Sequence, residues 1–297
     1  MKAAVRTAGI AVSLTALAFV GLTVYRSFDD VQQHLASPAF LIAFAGSTIA
    51  YAIMLQLIGL AWHRLLTAVD GPSLGVAQAL VICGRTQIYK YLPSNVLHMV
   101  GRYAFARRSR ASHKALVFAQ VGELLTTVLA AAVLAVALAR PVLIRALARY
   151  GLEDQALTNV MMVGGFVVLI ISIALVGRVR VAETGQRAIR ALAAAFAIYV
   201  LFFIGSGLLV VVLCKSLAVV SVVTELIGIG AAAWLVGFVV PGAPGGLGVR
   251  EAVLIAGLSA AGLTATEATV VALGHRFVTM VGDVIVATSV IVIAFKR

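Results

Sequence analysis

Two arginines occupy matching places beside two breaks in an otherwise apolar chain. Arg102 closes PSNVLHMVGR (Pro93–Arg102) and Arg250 closes PGAPGGLGVR (Pro241–Arg250). A guanidinium can clasp phosphate in a bidentate way, and the N-terminus of a short helix after each break favours the same anion. Glu251 reads either as a partner of Arg250 or as the acid of that helix's first turn. Asn95, Gly245 and Gly246, inside the breaks, complete the candidate binding set, with glycine permitting close approach. A second polar set lies within apolar runs: Glu123, and then His275, Arg276, Thr279 and Asp283. Arg276, Thr279 and Asp283 follow i, i+3, i+7 spacing, and His275 is i−4 to Thr279, so one polar stripe lines a helix. A charge at the centre of a membrane helix costs roughly 2.5–3.5 kcal/mol on insertion scales, so such residues face an interior or a cavity. They read as an internal pairing, Arg276 with Asp283 or Glu123, as a polar relay or gate, or as both.

Other chemistry finds no carrier in the sequence. There is no G-x-x-x-x-G-K-[ST] phosphate loop, no H-E-x-x-H and no G-x-S-x-G. Cys83 and Cys214 are too far apart in sequence for a metal or disulfide pattern, and His63, His98 and His113 lack ligand spacing and read as interfacial. No catalytic residue, metal or cofactor is expected.

The elements that must position these residues are membrane helices. At 62% hydrophobic and 11% charged over 297 residues, the chain holds more apolar side chain than one soluble core could enclose. Runs long enough to span occur at about Thr7–Tyr25, Ala39–Trp62, Ala115–Ala139, Val160–Val176, Ala191–Leu213 and Glu267–Phe295. The first follows Lys2 and Arg6 but has no small-x-small cleavage pattern, and it reads as an uncleaved helix. With six spans and the N-terminus inside, sixteen of the 23 Lys and Arg fall on the cytoplasmic side and six on the other, which places both termini in the cytoplasm. A net charge of +12 spread over span flanks does not point to nucleic acid.

Two further runs are broken. Ser73–Tyr91 leads to Pro93 and a short segment Asn95–Phe105; Val222–Val240 leads to Pro241 and Pro244, then a short segment Glu251–Gly262. One shift of 148 residues puts Pro93 on Pro241 and Arg102 on Arg250. Each half, residues 1–145 and 146–297, then reads span, span, broken hairpin, span. If neither hairpin crosses, three spans per half force the second half to run opposite to the first. The expected fold is therefore an all-α polytopic membrane protein with about six full spans and two re-entrant hairpins in an inverted repeat. Interrupted helices in such repeats mark transporter binding sites. The alternative is that Val222–Val240 spans fully and the Gly/Pro stretch is an aqueous loop.

The stretches KYLPSNVLHMVGR (Lys90–Arg102) and PGAPGGLGVREA (Pro241–Ala252) resemble the two signature stretches of the lysylphosphatidylglycerol synthase transmembrane family, the flippase-domain family. The resemblance covers nearly the whole chain and implies a lipid translocase with re-entrant helices near the lipid path. The chain ends at Arg297, directly after the last span, so it reads as a stand-alone member without the soluble aminoacyl-transferase domain, and lysyl transfer is not carried over. Candidate substrates are lysylphosphatidylglycerol, polyprenyl-phosphate-linked sugars and other anionic phospholipids. The expected function is a bacterial inner-membrane lipid flippase whose Arg102 and Arg250 bind an anionic head group from opposite sides. A membrane subunit that docks a glycosyltransferase or lipid synthase, and an intramembrane enzyme acting on a lipid phosphate, are the alternatives. Expected partners are lipids with anionic head groups, a lipid-modifying enzyme or glycosyltransferase, or a second copy of the chain.

Overall fold

The computed structural model describes residues 32–34, 36–70, 74–91, 97–109, 111–148, 182–219, 222–240 and 244–295, together with Leu22 and Tyr25. Inside a bilayer every unpaired backbone amide or carbonyl costs several kcal/mol, so apolar runs close their own hydrogen bonds as helices. The described elements are all helical: α1 (Pro38–Asp70), α2 (Val76–Thr86) with a 3-10 turn (Gln87–Tyr91), α3 (Leu97–Arg108), α4 (His113–Ala148), α5 (Ala182–Ser216), α6 (Val223–Val239) with a 3-10 turn (Pro244–Gly246), α7 (Val249–Ala260) and α8 (Ala265–Phe295).

Four of these helices, α1, α4, α5 and α8, are long and apolar enough to cross a membrane, and α6 is a shorter apolar helix. They correspond to the second, third, fifth and sixth expected spans; the first three of these are extended by several residues, and α8 starts two residues earlier than expected. The other two, Thr7–Tyr25 and Val160–Val176, fall outside the described residues apart from Leu22 and Tyr25. The boundary at 145/146 falls in the last turn of α4. On α1, Ile42, Ile49 and Ile53 are exposed at helical spacing, an apolar stripe of the kind hydrocarbon covers.

The chain's direction follows from its contacts. At the end where α1 finishes, the His63 ring nitrogen Nε2 hydrogen-bonds the Leu74 carbonyl at 2.9 Å, and Gln78 donates to Ser109 Oγ at 2.8 Å. Hence α2 departs from that end and α3 returns to it. At the other end Arg145, late in α4, lies 3.5 Å from Glu225 in the first turn of α6. The Gly257 backbone of α7 packs against Ile229 of α6, so this second pair is open at the opposite end. The two broken segments thus enter the bundle from opposite ends, and their turns meet: a Cβ on Gly245 would stand 3.3 Å from the Tyr91 ring.

Both sides of the connection between α7 and α8 are set by local sequence. In the loop between α7 and α8, the Leu263 and Gly262 amides donate to the Leu258 and Ser259 carbonyls, with Gly262 at φ 104°, a C-terminal cap of the Schellman type. Then α8 opens on a capping box: the Thr264 amide donates to Glu267 Oε2 at 2.8 Å, and the Glu267 amide donates to Thr264 Oγ1 at 3.2 Å. Two apolar clusters form the core, one containing Trp62, Leu65 and Leu116, the other Val210, Leu226 and Leu258.

Candidate functional site

A cavity of about 150 Å³ lies where the two turns meet. Tyr51 of α1, Thr127 of α4, Phe203 of α5 and Arg276 of α8 all line it, and each stands near the middle of its long helix. Lys90 reaches the wall from the first turn, and Gly245 and Gly246 from the second.

Among the described residues three ion pairs stand in or beside the wall, each linking different elements. Lys90 Nζ lies 2.6 Å from Asp283 Oδ2, and the Tyr91 hydroxyl donates to the same oxygen at 2.5 Å. Arg102 Nη1 donates to Glu123 Oε1 at 2.5 Å, and the Tyr199 hydroxyl donates to that oxygen at 3.0 Å. Arg276 Nε lies 3.1 Å from Glu251 Oε1 while its Nη1 donates to the Gly245 carbonyl at 3.0 Å. Asp283 is fully buried and Arg102 is 1% exposed. Pairing and hydrogen bonding offset the cost of taking these charges out of water.

These partners correct the sequence pairing. Arg276 joins neither Asp283 nor Glu123, and Glu251 joins Arg276 instead of Arg250. The reason is helix geometry: at 1.5 Å per residue, positions 276 and 283 stand about 10 Å apart along the axis. The hairpin turns bring nearer partners to each.

Arg250 differs from the other cations. No carboxylate lies within ion-pair distance of it among the described residues, and its Nε has no hydrogen-bond partner. Its guanidinium carbon stands 5.5 Å from the centre of the Trp234 ring. Trp234 stacks on Phe238 with ring centres 5.0 Å apart, and Phe203 meets its edge at 4.9 Å. Two glycines make room for the arginine. A Cβ on Gly237 would come 2.3 Å from Arg250 Cγ, and one on Gly246 would come 2.6 Å from its Nε. Gly246 also has φ 73°, a conformation that side chains with a Cβ rarely adopt.

The candidate residues converge only in part. Arg102, Arg250, Glu251, Gly245, Gly246, Glu123, His275, Arg276 and Thr279 all line the cavity, and Asp283 stands behind Lys90. Thr279 turns its hydroxyl to the Arg276 carbonyl, and His275 Nε2 lies 3.4 Å from Ser206 Oγ. Asn95, Pro93 and Pro241 lie outside the described residues, while Pro244 opens the second 3-10 turn. Arg102 on α3 and Arg250 on α7 both reach the cavity wall, but Arg102 is committed to Glu123. His98, read as interfacial, lines the cavity. Sequence reasoning passed over Lys90, Tyr91, Tyr199 and Trp234. Lys90 is the first residue of the quoted KYLPSNVLHMVGR.

Chemically the cavity offers, among the described residues, a cation without a carboxylate partner beside an aromatic wall, which suits an amphipathic anion. Among the described residues no cluster of His, Cys, Asp and Glu is placed to hold a metal. No protein-family profile and no curated protein matches the chain in sequence.

Proposed function

We propose that this chain is a lipid translocase that carries a lipid with an anionic head group across a bacterial cytoplasmic membrane. The observation that carries this reading is Arg250: a cation without a carboxylate partner among the described residues, midway along the bundle, beside the Trp234 and Phe238 rings. An anionic head group supplies what Arg250 lacks, and the aromatic wall suits the apolar part of the same molecule. The two broken segments act as re-entrant hairpins of an inverted repeat with six spans and both termini cytoplasmic. Their meeting turns separate the two sides, and alternate opening on either side of the cavity moves the head group. The resemblance of Lys90–Arg102 and Pro241–Ala252 to the lysylphosphatidylglycerol synthase transmembrane family agrees with this reading.

The test is translocation of fluorescent anionic and zwitterionic lipids in proteoliposomes containing the purified chain, beside Arg250→Ala. Movement of an anionic lipid that is lost in the variant supports the reading. No movement of any lipid by folded protein transfers the assignment to a membrane subunit that docks a glycosyltransferase or lipid synthase, with the exposed Arg107, Arg108 and Lys114 as the face to examine.

A further inference from the structure

The charge balance around the cavity defines its ligand more narrowly. Among the described residues four cations stand in the wall, Lys90, Arg102, Arg250 and Arg276, and three carboxylates answer them, Glu123 and Glu251 in the wall and Asp283 behind Lys90. Each carboxylate is taken by one cation at 3.1 Å or less. The remainder is one positive charge, on Arg250.

We infer that the site selects a head group carrying one net negative charge in the form of a phosphodiester, and discriminates against both pyrophosphate-linked and aminoacylated lipids. The inference rests on the lipid-translocase reading and deepens it. A phosphodiester has one charge shared over two non-bridging oxygens, the pair a guanidinium holds in parallel. Bound to Arg250, it brings the enclosed charge to zero. A pyrophosphate introduces at least one further negative charge in a region of low dielectric, where an unpaired charge is expensive. A lysylated head group, positive overall, adds to the Arg250 charge instead of cancelling it. A zwitterion neutralises its own phosphate and gains less.

The second guanidinium strengthens the choice of an oxygen pair. Arg276 is buried, and its Nη2 has no hydrogen-bond partner. A Cβ on Gly245 would lie 3.5 Å from that nitrogen, and one on Gly246 would lie 2.6 Å from Arg250 Nε. The free donors of both arginines therefore border two consecutive glycines.

Phosphatidylglycerol and a polyprenyl-phosphate-linked sugar both present this phosphodiester. The chain has two tryptophans, Trp62 with no exposed surface in the core and Trp234 in the cavity, so Trp62→Phe leaves Trp234 as a reporter. The purified full chain with that change, in detergent micelles, is titrated with phosphatidylglycerol, polyprenyl-phosphate-linked sugar, polyprenyl pyrophosphate, lysylphosphatidylglycerol and phosphatidylcholine. At least one of the two phosphodiester monoanions binds ten-fold or more tightly than the other three, and the tighter of the two identifies the lipid class. If Trp62→Phe does not fold, retention of radiolabelled lipid by the unaltered chain gives the same comparison.

Arg250→Gln removes the preference and Arg250→Lys keeps most of it. Glu251→Gln releases Arg276, raises the uncompensated charge to two and shifts preference toward the pyrophosphate, a gain that simple loss of packing does not produce. Equal or tighter binding of pyrophosphate or lysylated lipid by the unaltered site overturns the inference. So does an unchanged charge preference in folded Glu251→Gln. Proteoliposome translocation separates the two levels: movement without charge preference removes the phosphodiester inference alone, whereas selective binding without movement keeps the site and removes the translocase reading.

Discussion

Arg276 and Asp283 stand two turns apart on α8, and each grips the turn of a different hairpin. Asp283 accepts the Tyr91 hydroxyl and pairs with Lys90 of the first turn; Arg276 holds Glu251 and the Gly245 carbonyl of the second. One helix therefore ties together two segments that enter from opposite ends.

Releasing one grip loosens one turn. In Asp283→Asn the Lys90 charge loses its partner, and a cysteine placed at the buried Gln87 becomes several-fold more reactive toward a small thiol reagent. Reactivity at Gln87→Cys that is the same with and without Asp283→Asn removes Asp283 as the tie of the first turn.

The Arg102–Glu123 pair is closed to solvent, so truncating one partner strands the other. Arg102→Gln or Glu123→Gln alone lowers unfolding stability by about 3–5 kcal/mol, and the double variant costs less than the sum of the two. Thermal unfolding of the purified variants gives the cycle. Additive losses contradict a direct buried pair.

Gly246→Ala tests the slot around Arg250. The added methyl meets Arg250 Nε at 2.6 Å on a backbone at φ 73°, so anion binding falls at least ten-fold while the distant cores hold the fold. A titration in which Gly246→Ala binds phosphatidylglycerol as the unaltered chain does shows that Arg250 is not the anion contact.

The bundle also predicts sidedness. Lys114, early in α4, and Lys215, late in α5, are exposed at opposite ends of the bundle. Single cysteines at these positions react with an impermeant reagent from opposite sides of the membrane, and Cys83 and Cys214, both buried, stay silent. Labelling of both from one side contradicts the course of the chain through the four long helices.

Much of this was legible because membrane helices announce themselves by length and apolarity. Ala39–Trp62 was found within α1, and each interrupted run does fall into two helices, α2 with α3 and α6 with α7. The i, i+3, i+7 spacing put Arg276, Thr279 and Asp283 on one face, and the structure brings that face to the cavity and to the first turn. The partners were not legible. Lys90 was counted with the loop charges because its carboxylate stands nearly two hundred residues away on another helix. Arg102 and Arg250 were matched by spacing alone, which cannot show that Glu123 neutralises one and leaves the other. Trp234 sat in a run where every neighbour is apolar, so nothing in the pattern set its ring beside a guanidinium.

The position of Arg250 at mid-depth has an electrical meaning. Moving one elementary charge fully across a membrane potential is worth about 2.3 kcal/mol per 100 mV. On the translocase reading proposed above, an empty wall that carries one unbalanced cation experiences part of that force whenever the cavity opens toward a different side. Once a monoanion occupies the wall the sum is zero, and the loaded reorientation becomes indifferent to voltage. The membrane potential then acts on the return of the empty protein rather than on the passage of its cargo.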